Sequence, residues 1–300
     1  MIEIKKCSKS FGTLKAVSKL SMDIGEREVF GLVGSNGAGK STLLRMAAGI
    51  LRPDEGEIRI DDISVFDNED AKKQIFYISD DCYFPANYTA ADMASFYRLY
   101  YPGFERQRFS KLMRQFQLDE SQKVSSFSKG MKKQLMTLIG ICAGTKYLLC
   151  DETFDGLDPL VRQVVKSLFA AEIMSREFSP VLASNNLREL EDICDHVGLL
   201  YKGGMLLSRN LEDMKFHIHK IQCVFTDKKQ EDALKKELDV LKVDHQGSLV
   251  MITARGTRTE IMAKIQEKNP LFCEVLPLTL EEIFISETEV AGYEIQNIFF

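Results

Sequence analysis

The sequence predicts an α/β fold: a mostly parallel sheet covered on both faces, joined to an antiparallel β subdomain, an inserted helical subdomain and a small C-terminal α+β domain of ferredoxin-like order. Three patterns carry this reading. Between residues 28 and 201, short apolar runs alternate with segments of helical character, the signature of a parallel sheet with crossover helices. Residues 17–24 instead place Val17, Leu20, Met22 and Ile24 in rough alternation, as a strand with one buried face does. The tail strings its elements in the order β-α-β-β-α-β.

Taken in order, residues 28–33 form a buried-strand run that stops at a glycine-rich turn, and residues 41–50 are helical, with Gly49 and Pro53 as stop signals. Residues 57–61 alternate again and residues 75–79 read as a strand. From about 81 to 135, aromatics and helix formers accumulate, with Phe96, Tyr97, Tyr100 and Tyr101 close together, which marks the helical insertion. Strands are expected at 147–150, 181–184 and 197–201, helices at 160–178 and 187–194, and a hairpin turn at Lys202-Gly203-Gly204. In the tail, strands at 221–225, 240–243, 249–253 and 272–276 alternate with helices at 231–238 and 257–268. The expected boundary near residue 215 gives domains 1–215 and 216–300.

A chain of 300 residues that is 45% hydrophobic has apolar residues enough for a sizeable core. The net charge of −5, with both signs interspersed, argues against a general nucleic-acid binder. The seven cysteines show no C-x-x-C spacing, so buried, reduced thiols in a cytoplasmic protein are expected rather than structural zinc. Met1-Ile2-Glu3-Ile4-Lys5 does not read as a secretory leader. No stretch approaches the roughly 20 apolar residues that span a bilayer, so any membrane role is expected to run through a partner.

The chemistry concentrates in two segments. Gly34-Ser35-Asn36-Gly37-Ala38-Gly39-Lys40-Ser41-Thr42 fits G-x-x-x-x-G-K-[ST] between an expected strand and an expected helix. This is a P-loop, so the fold class is that of a P-loop NTPase. Glycines let backbone N–H groups wrap a phosphate, the helix N-terminus favours the same anion, Lys40 reaches the β- and γ-phosphates and Ser41 can ligate Mg²⁺. The apolar strand Leu148-Leu149-Cys150 ends in Asp151-Glu152. Asp151 is expected to hold Mg²⁺, and Glu152 to orient or deprotonate the attacking water. The expected cofactors are therefore ATP and Mg²⁺.

With these segments, Ser126-Phe127-Ser128-Lys129-Gly130-Met131-Lys132-Lys133-Gln134 completes a resemblance to the ATP-binding cassette family of transporter ATPases over residues 2–210. The segment is similar to the family signature, in the form seen in many bacterial exporter subunits. Asp155-Gly156-Leu157-Asp158-Pro159 looks like the family's D-loop. Phe11 occupies the place of the aromatic that stacks on adenine, although its residue type alone fits a core aromatic equally well. The resemblance implies that Ser128 and the Gly130 backbone cap the γ-phosphate bound by a second subunit, in a homodimer or heterodimer of approximate two-fold symmetry. It further implies a membrane-spanning transporter subunit as partner and a place at the inner face of the plasma membrane. The stretch from Tyr83 to Tyr101 lies where that partner docks in the family, though core filling accounts for most of these aromatics equally well.

Two positions depart from the family. Asp80 stands where a glutamine contacts Mg²⁺ and the attacking water, and Asn185 where a histidine contacts the γ-phosphate. Asp80 can ligate Mg²⁺ but adds negative charge; Asn185 can donate a hydrogen bond but carries no positive charge. His196, beyond a helix, is not expected to substitute. Two functions follow: an energy-coupling subunit, expected to serve an exporter, or an ATP-gated regulatory module of a membrane complex with impaired hydrolysis. For the tail, a ligand sensor, a dimerisation surface and a stabilising appendage all stay open.

Overall fold

The structure, a computed structural model, describes residues 1–154, 157–226 and 228–290. Two compact units divide between Ser208 and Arg209.

The first unit opens with β1 (Ile2–Phe11) and β2 (Leu14–Ile24), an antiparallel pair, followed by β3 (Phe30–Val33) and α1 (Lys40–Ala47). Next come β4 (Glu55–Ile60), β5 (Ile63–Ser64), α2 (Glu69–Lys72) and β6 (Ile75–Ile78). The helical insertion holds α3 (Ala90–Tyr100), α4 (Arg106–Gln115) and the start of α5 (Lys129–Cys142). The unit continues through β7 (Tyr147–Asp151), α6 (Pro159–Ser175), β8 (Ser179–Ser184), α7 (Leu187–Glu191), β9 (His196–Tyr201) and β10 (Gly204–Asn210).

Two sheets result. One is ordered β2-β1-β4-β5; the other is ordered β10-β9-β3-β8-β7-β6, parallel from β9 through β6. Strands β3, β7 and β8 are buried along their full length, as the apolar stretches 148–150 of β7 and 181–183 of β8 and the apolar β3 require. Side chains from the inner face of the antiparallel sheet (Ile2, Ile4, Val17, Leu20, Ile58, Ile60) pack with Phe30, Leu32, Leu149 and Val181 of the parallel sheet and with Leu43, Leu44 and Met46 of α1. At the end of β9, Lys202 and Gly203 take φ of 46° and 79°, the left-handed pair that closes a two-residue hairpin into β10. The expected helix at 160–178 is shorter, because Arg176 is already extended and β8 begins at Ser179.

Helix α5 crosses from the insertion onto the parallel sheet. Its Gly140 is pressed so close that a Cβ there would lie 2.6 Å from Leu148 Cδ1 and 3.1 Å from Phe76 Cδ1. The aromatic cluster splits between two faces. Tyr97 and Tyr101 lie 5.1 and 5.2 Å from the Phe76 ring, and burial pushes both hydroxyls up to about 12. Phe96, Leu99 and Tyr100 face outward from α3, and Tyr83 is largely exposed.

The second unit holds α8 (Leu211–His217), β11 (Ile218–Val224), α9 (Lys228–Glu237), β12 (Asp239–Gln246), β13 (Leu249–Arg255), α10 (Arg258–Glu267), β14 (Phe272–Leu276) and α11 (Leu280–Val290). Its antiparallel sheet runs β12-β13-β11-β14, the ferredoxin-like order. Leu234 of α9 and Ile261 and Ile265 of α10 bury against Ile221, Ile252 and Ala254. Helices α8 and α11 flank this motif in the chain; neither was expected from the sequence.

Candidate functional site

The site forms where β3, β6, β7 and β8 end, because a parallel sheet delivers the C-terminal ends of its strands to one edge. The turn after β3 needs its glycines. Gly39, the residue before α1, sits at φ 106°, and a Cβ on it would lie 2.3 Å from the Ala16 carbonyl oxygen. No side chain caps α1, so its first-turn N–H groups are left for an anion. Lys40 is buried, and its Nζ donates to the Gly34 and Ser35 carbonyls at 2.7 and 3.2 Å. Burial lowers its pKa, while Glu152 and Asp151 oppose that shift. The ammonium thus curls the loop around itself, with Glu152 Oε1 3.7 Å away.

At the end of β7, Asp151 is buried and doubly engaged. Ser41 Oγ donates to its Oδ1 at 2.9 Å and Tyr77 Oη to its Oδ2 at 3.1 Å. Arg45 Nε donates in turn to Tyr77 Oη at 3.4 Å. The Ser41 hydroxyl beside one carboxylate oxygen is a hard-oxygen pair of the kind Mg²⁺ takes when substrate phosphates and water supply the remaining ligands. Among the described residues no group of three His, Cys, Asp or Glu forms a metal cluster.

Glu152 follows with φ 48°, in the left-handed region. Its N–H donates to the Ala183 carbonyl at 3.0 Å, and its own carbonyl accepts from Lys133 Nζ at 2.6 Å. Lys133 also lies 3.6 Å from Asp80 Oδ1. The charge that Asp80 was expected to add is therefore opposed by a buried ammonium.

After β8, Asn185 Nδ2 donates to Asn36 Oδ1 of the phosphate turn at 3.2 Å. The neighbouring Asn186 instead caps α7 by accepting from the Arg188 N–H. His196 lies apart from these groups: its ring stacks on Phe30 at 5.2 Å and Nε2 pairs with Ser208 Oγ at 2.8 Å.

A cleft of about 210 Å³ runs along the turn, lined by Phe11, Leu14, Asn36, Gly37, Lys40 and Glu152, with Ser41 and Thr42 behind them. Phe11 is 48% exposed at its mouth, so it is not a core aromatic. Lys9 Nζ stands 5.9 Å from its ring centroid.

The signature segment does not line this cleft. Ser128 is the N-cap of α5, its Oγ accepting from the Met131 N–H at 3.2 Å. Ser128 and Lys129 are exposed, and the nearest atom to a Cβ added at Gly130 would be Ser128 Oγ at 3.9 Å. Asp158 likewise caps α6, accepting from the Leu160 N–H at 2.8 Å. Asp155 and Gly156 of the expected D-loop lie outside the described residues.

Sequence reading missed Tyr77 and Lys133. Tyr77 sat inside an apparent apolar strand, with nothing to distinguish its hydroxyl. Lys133 was one of three lysines in the signature segment; its helical phase, one turn before the buried Met136 and Thr137, was the available signal.

Comparison with known proteins agrees with this geometry. Residues 17–155 match the ABC transporter family model. The ABC transporter ATP-binding protein YtrB of Bacillus subtilis (strain 168) is 29% identical over 287 residues, covering 96% of this chain and 98% of that protein. The bacitracin transport ATP-binding protein BcrA of Bacillus licheniformis is 25% identical, with 94% of each chain covered. Among solved structures, the ATP-binding subunit of an ABC transporter superposes with a TM-score of 0.66 at 25% identity, over 72% of this chain and 92% of that one. A dimeric ATP-binding cassette in a post-hydrolysis state bound to ADP and Pi superposes at 0.63 and 19% identity, over 70% and 99%; at that identity the likeness speaks for the fold.

Proposed function

Because this chain carries the ABC transporter ATP-binding domain at residues 17–155, we propose that it is the ATPase subunit of an exporter, in which ATP binding closes a pair of cassettes and hydrolysis reopens them. The observation that carries the reading is the convergence of Lys40, Ser41, Asp151 and Glu152 on the phosphate turn. Lys40 and the turn's N–H groups bind and orient the triphosphate. Glu152, its backbone fixed at both ends, accepts the proton of the attacking water. Ser41 and Asp151 would hold Mg²⁺, with Asp80 as a further candidate ligand, and a bound ion would supply neutralisation of the triphosphate's charge. Phe11 stacks on adenine.

Ser128, Gly130 and Asp158 serve the opposing subunit, either a second copy or a related cassette. The exposure of Ser128 and Asp158 at helix starts supports that assignment, as does the space over Gly130, where among the described residues only Ser128 Oγ comes within 4 Å of an added Cβ. The membrane-spanning partner docks on the outward face of α3 with Tyr83, where Phe96, Leu99 and Tyr100 are left exposed. No helix among the described residues is long and apolar enough to cross a membrane, so attachment at the inner face of the plasma membrane runs through that partner. The export direction draws on the Ser-Lys-Gly-Met form of the signature.

A second reading, a slowly hydrolysing regulatory module, is favoured by one contact. Asn185, in the position nearest the phosphate turn after β8, offers Asn36 a neutral amide and supplies no positive charge to a γ-phosphate. One experiment separates the two: transport by the complete complex with Glu152→Gln in this chain. A motor stalls; a binding switch keeps working, and continued transport at the wild-type rate overturns the first reading.

A further inference from the structure

Lys133 lies in the signature segment but was given no role there, and its ammonium ties α5 to the segments that follow β6 and β7. It rides on α5, five residues past the exposed N-cap Ser128, and is 6% exposed itself. Burying an ammonium is costly unless it is paired. Its partners include the Glu152 carbonyl at 2.6 Å and the Asp80 carboxylate at 3.6 Å. Asp80 follows β6, Glu152 follows β7, and Lys133 sits near the start of the helix whose tip carries the signature.

We propose that Lys133 is a positioning residue that transmits the placement of the signature helix to the catalytic end of the site, by gripping the Glu152 main chain and the Asp80 carboxylate together. The inference rests on the ATPase reading above and extends it to a residue that does not line the cleft along the phosphate turn.

The physical case has two parts. Glu152 is held at φ 48°, a left-handed conformation that is unfavourable for a non-glycine residue and persists only where its surroundings fix it. Its N–H is fixed by Ala183 and its carbonyl by Lys133; without the second bond the peptide after Glu152 is free to rotate and re-aim the carboxylate. The other part concerns charge. A glutamine at position 80 would leave Lys133 with a neutral neighbour, whereas Asp80 gives it a counter-ion. The aspartate is thereby compensated within the chain, and its position is tied to α5. When a second subunit's nucleotide engages Ser128 and Gly130, a shift of α5 reaches the Glu152 carbonyl and the Asp80 carboxylate directly through this side chain.

The test uses the full-length chain and four variants: Lys133→Met, Lys133→Arg, Asp80→Asn, and the Lys133→Met/Asp80→Asn pair. Steady-state ATPase rates are measured together with ATP affinity and stoichiometry. The expected result for Lys133→Met is at least a tenfold loss in kcat, with ATP Kd within twofold and one nucleotide bound per chain. Lys133→Arg should restore at least half of the rate. The double variant should be no slower than Lys133→Met alone, because Asp80→Asn removes a pairing that Lys133→Met has already broken. A double variant slowed by the product of the single effects, or a Lys133→Met kcat within twofold of wild type, overturns the proposal. If Lys133→Met does not fold, the half-exposed Asp80 carries the test: Asp80→Asn must lower kcat at least threefold at unchanged Kd, and an unchanged kcat overturns the clamp. Failure of the underlying reading looks different, because then wild type itself neither binds nor hydrolyses ATP.

Discussion

The phosphate turn and the signature segment are both helix starts, and they are finished to different degrees. At α1 the N-terminus is enclosed: Lys40 is buried, Ser41 is bonded to Asp151, and the glycine before the helix is wedged against Ala16. At α5 the N-terminus is open, with Ser128 and Lys129 in solvent and free space over Gly130. The first uses its own chain to shape a pocket; the second, among the described residues, is left open, as the proposed capping of a second subunit's nucleotide requires. A single copy therefore reads as a binding site plus half of someone else's, and binding should be separable from turnover.

The largest effect should come from the enclosed end. Lys40→Ala removes the only ammonium aimed at the phosphate turn among the described residues, so nucleotide titration should detect no saturable ATP binding, and hydrolysis should fall by at least the ~10²–10³ typical of one lost charge-stabilising donor. Wild-type affinity in that variant would erase the distinction between the two helix starts. Next in size, Glu152→Gln should lower single-turnover hydrolysis by about 10²–10⁴ while ATP still binds, and size-exclusion chromatography should show an ATP-dependent dimer accumulating.

At the open end, Gly130→Asp places a carboxylate where the opposing γ-phosphate is proposed to sit. ATP affinity of the isolated chain should stay within twofold, while the ATP-dependent dimer disappears and turnover drops by about 10². Loss of affinity in the isolated chain would mean that the signature acts on its own nucleotide, contrary to the comparison. A smaller effect of opposite sign is expected from Asn185→His, which should raise the hydrolysis rate severalfold; a rate equal to wild type would remove the reason to call the site slow. The smallest change lies outside both ends. Thr257 and Glu260 form a capping box at α10, so Thr257→Ala should cost about 1 kcal/mol of stability in the second unit, read as a lower midpoint for that unit in denaturant, with ATPase kinetics unaltered.

What the sequence disclosed follows the same division. The enclosed site was legible because its demands are local: glycines at fixed spacing, a lysine, a hydroxyl, and a strand that ends in two acids. The sheet was legible because β3, β7 and β8 are buried end to end and so carry short apolar stretches at their centres. Less could be read where the partner lies far along the chain. Tyr77 and Asp151, or Asp80 and Lys133, meet only after the sheet has brought β6, β7 and α5 together. Phe11 stayed ambiguous because a strand-end aromatic has no pattern of its own; its exposure at the cleft decided it. Helices α8 and α11 were missed because their segments are short and mix acids with apolar residues, so tertiary packing rather than periodicity settles them.

Gly140 gives the arrangement its mechanical character. With a Cβ-sized space already filled by Leu148 and Phe76, α5 lies on the sheet like a rail on its bed. It cannot sink closer and has no slack to lift without opening a void, so sliding and tilting are the displacements least opposed by packing. A methyl group added at this one position would shim the helix outward, and the far tip, twelve residues upstream at Ser128, would be displaced with it. The tolerance of the whole lever is thus set by a residue with no functional group at all.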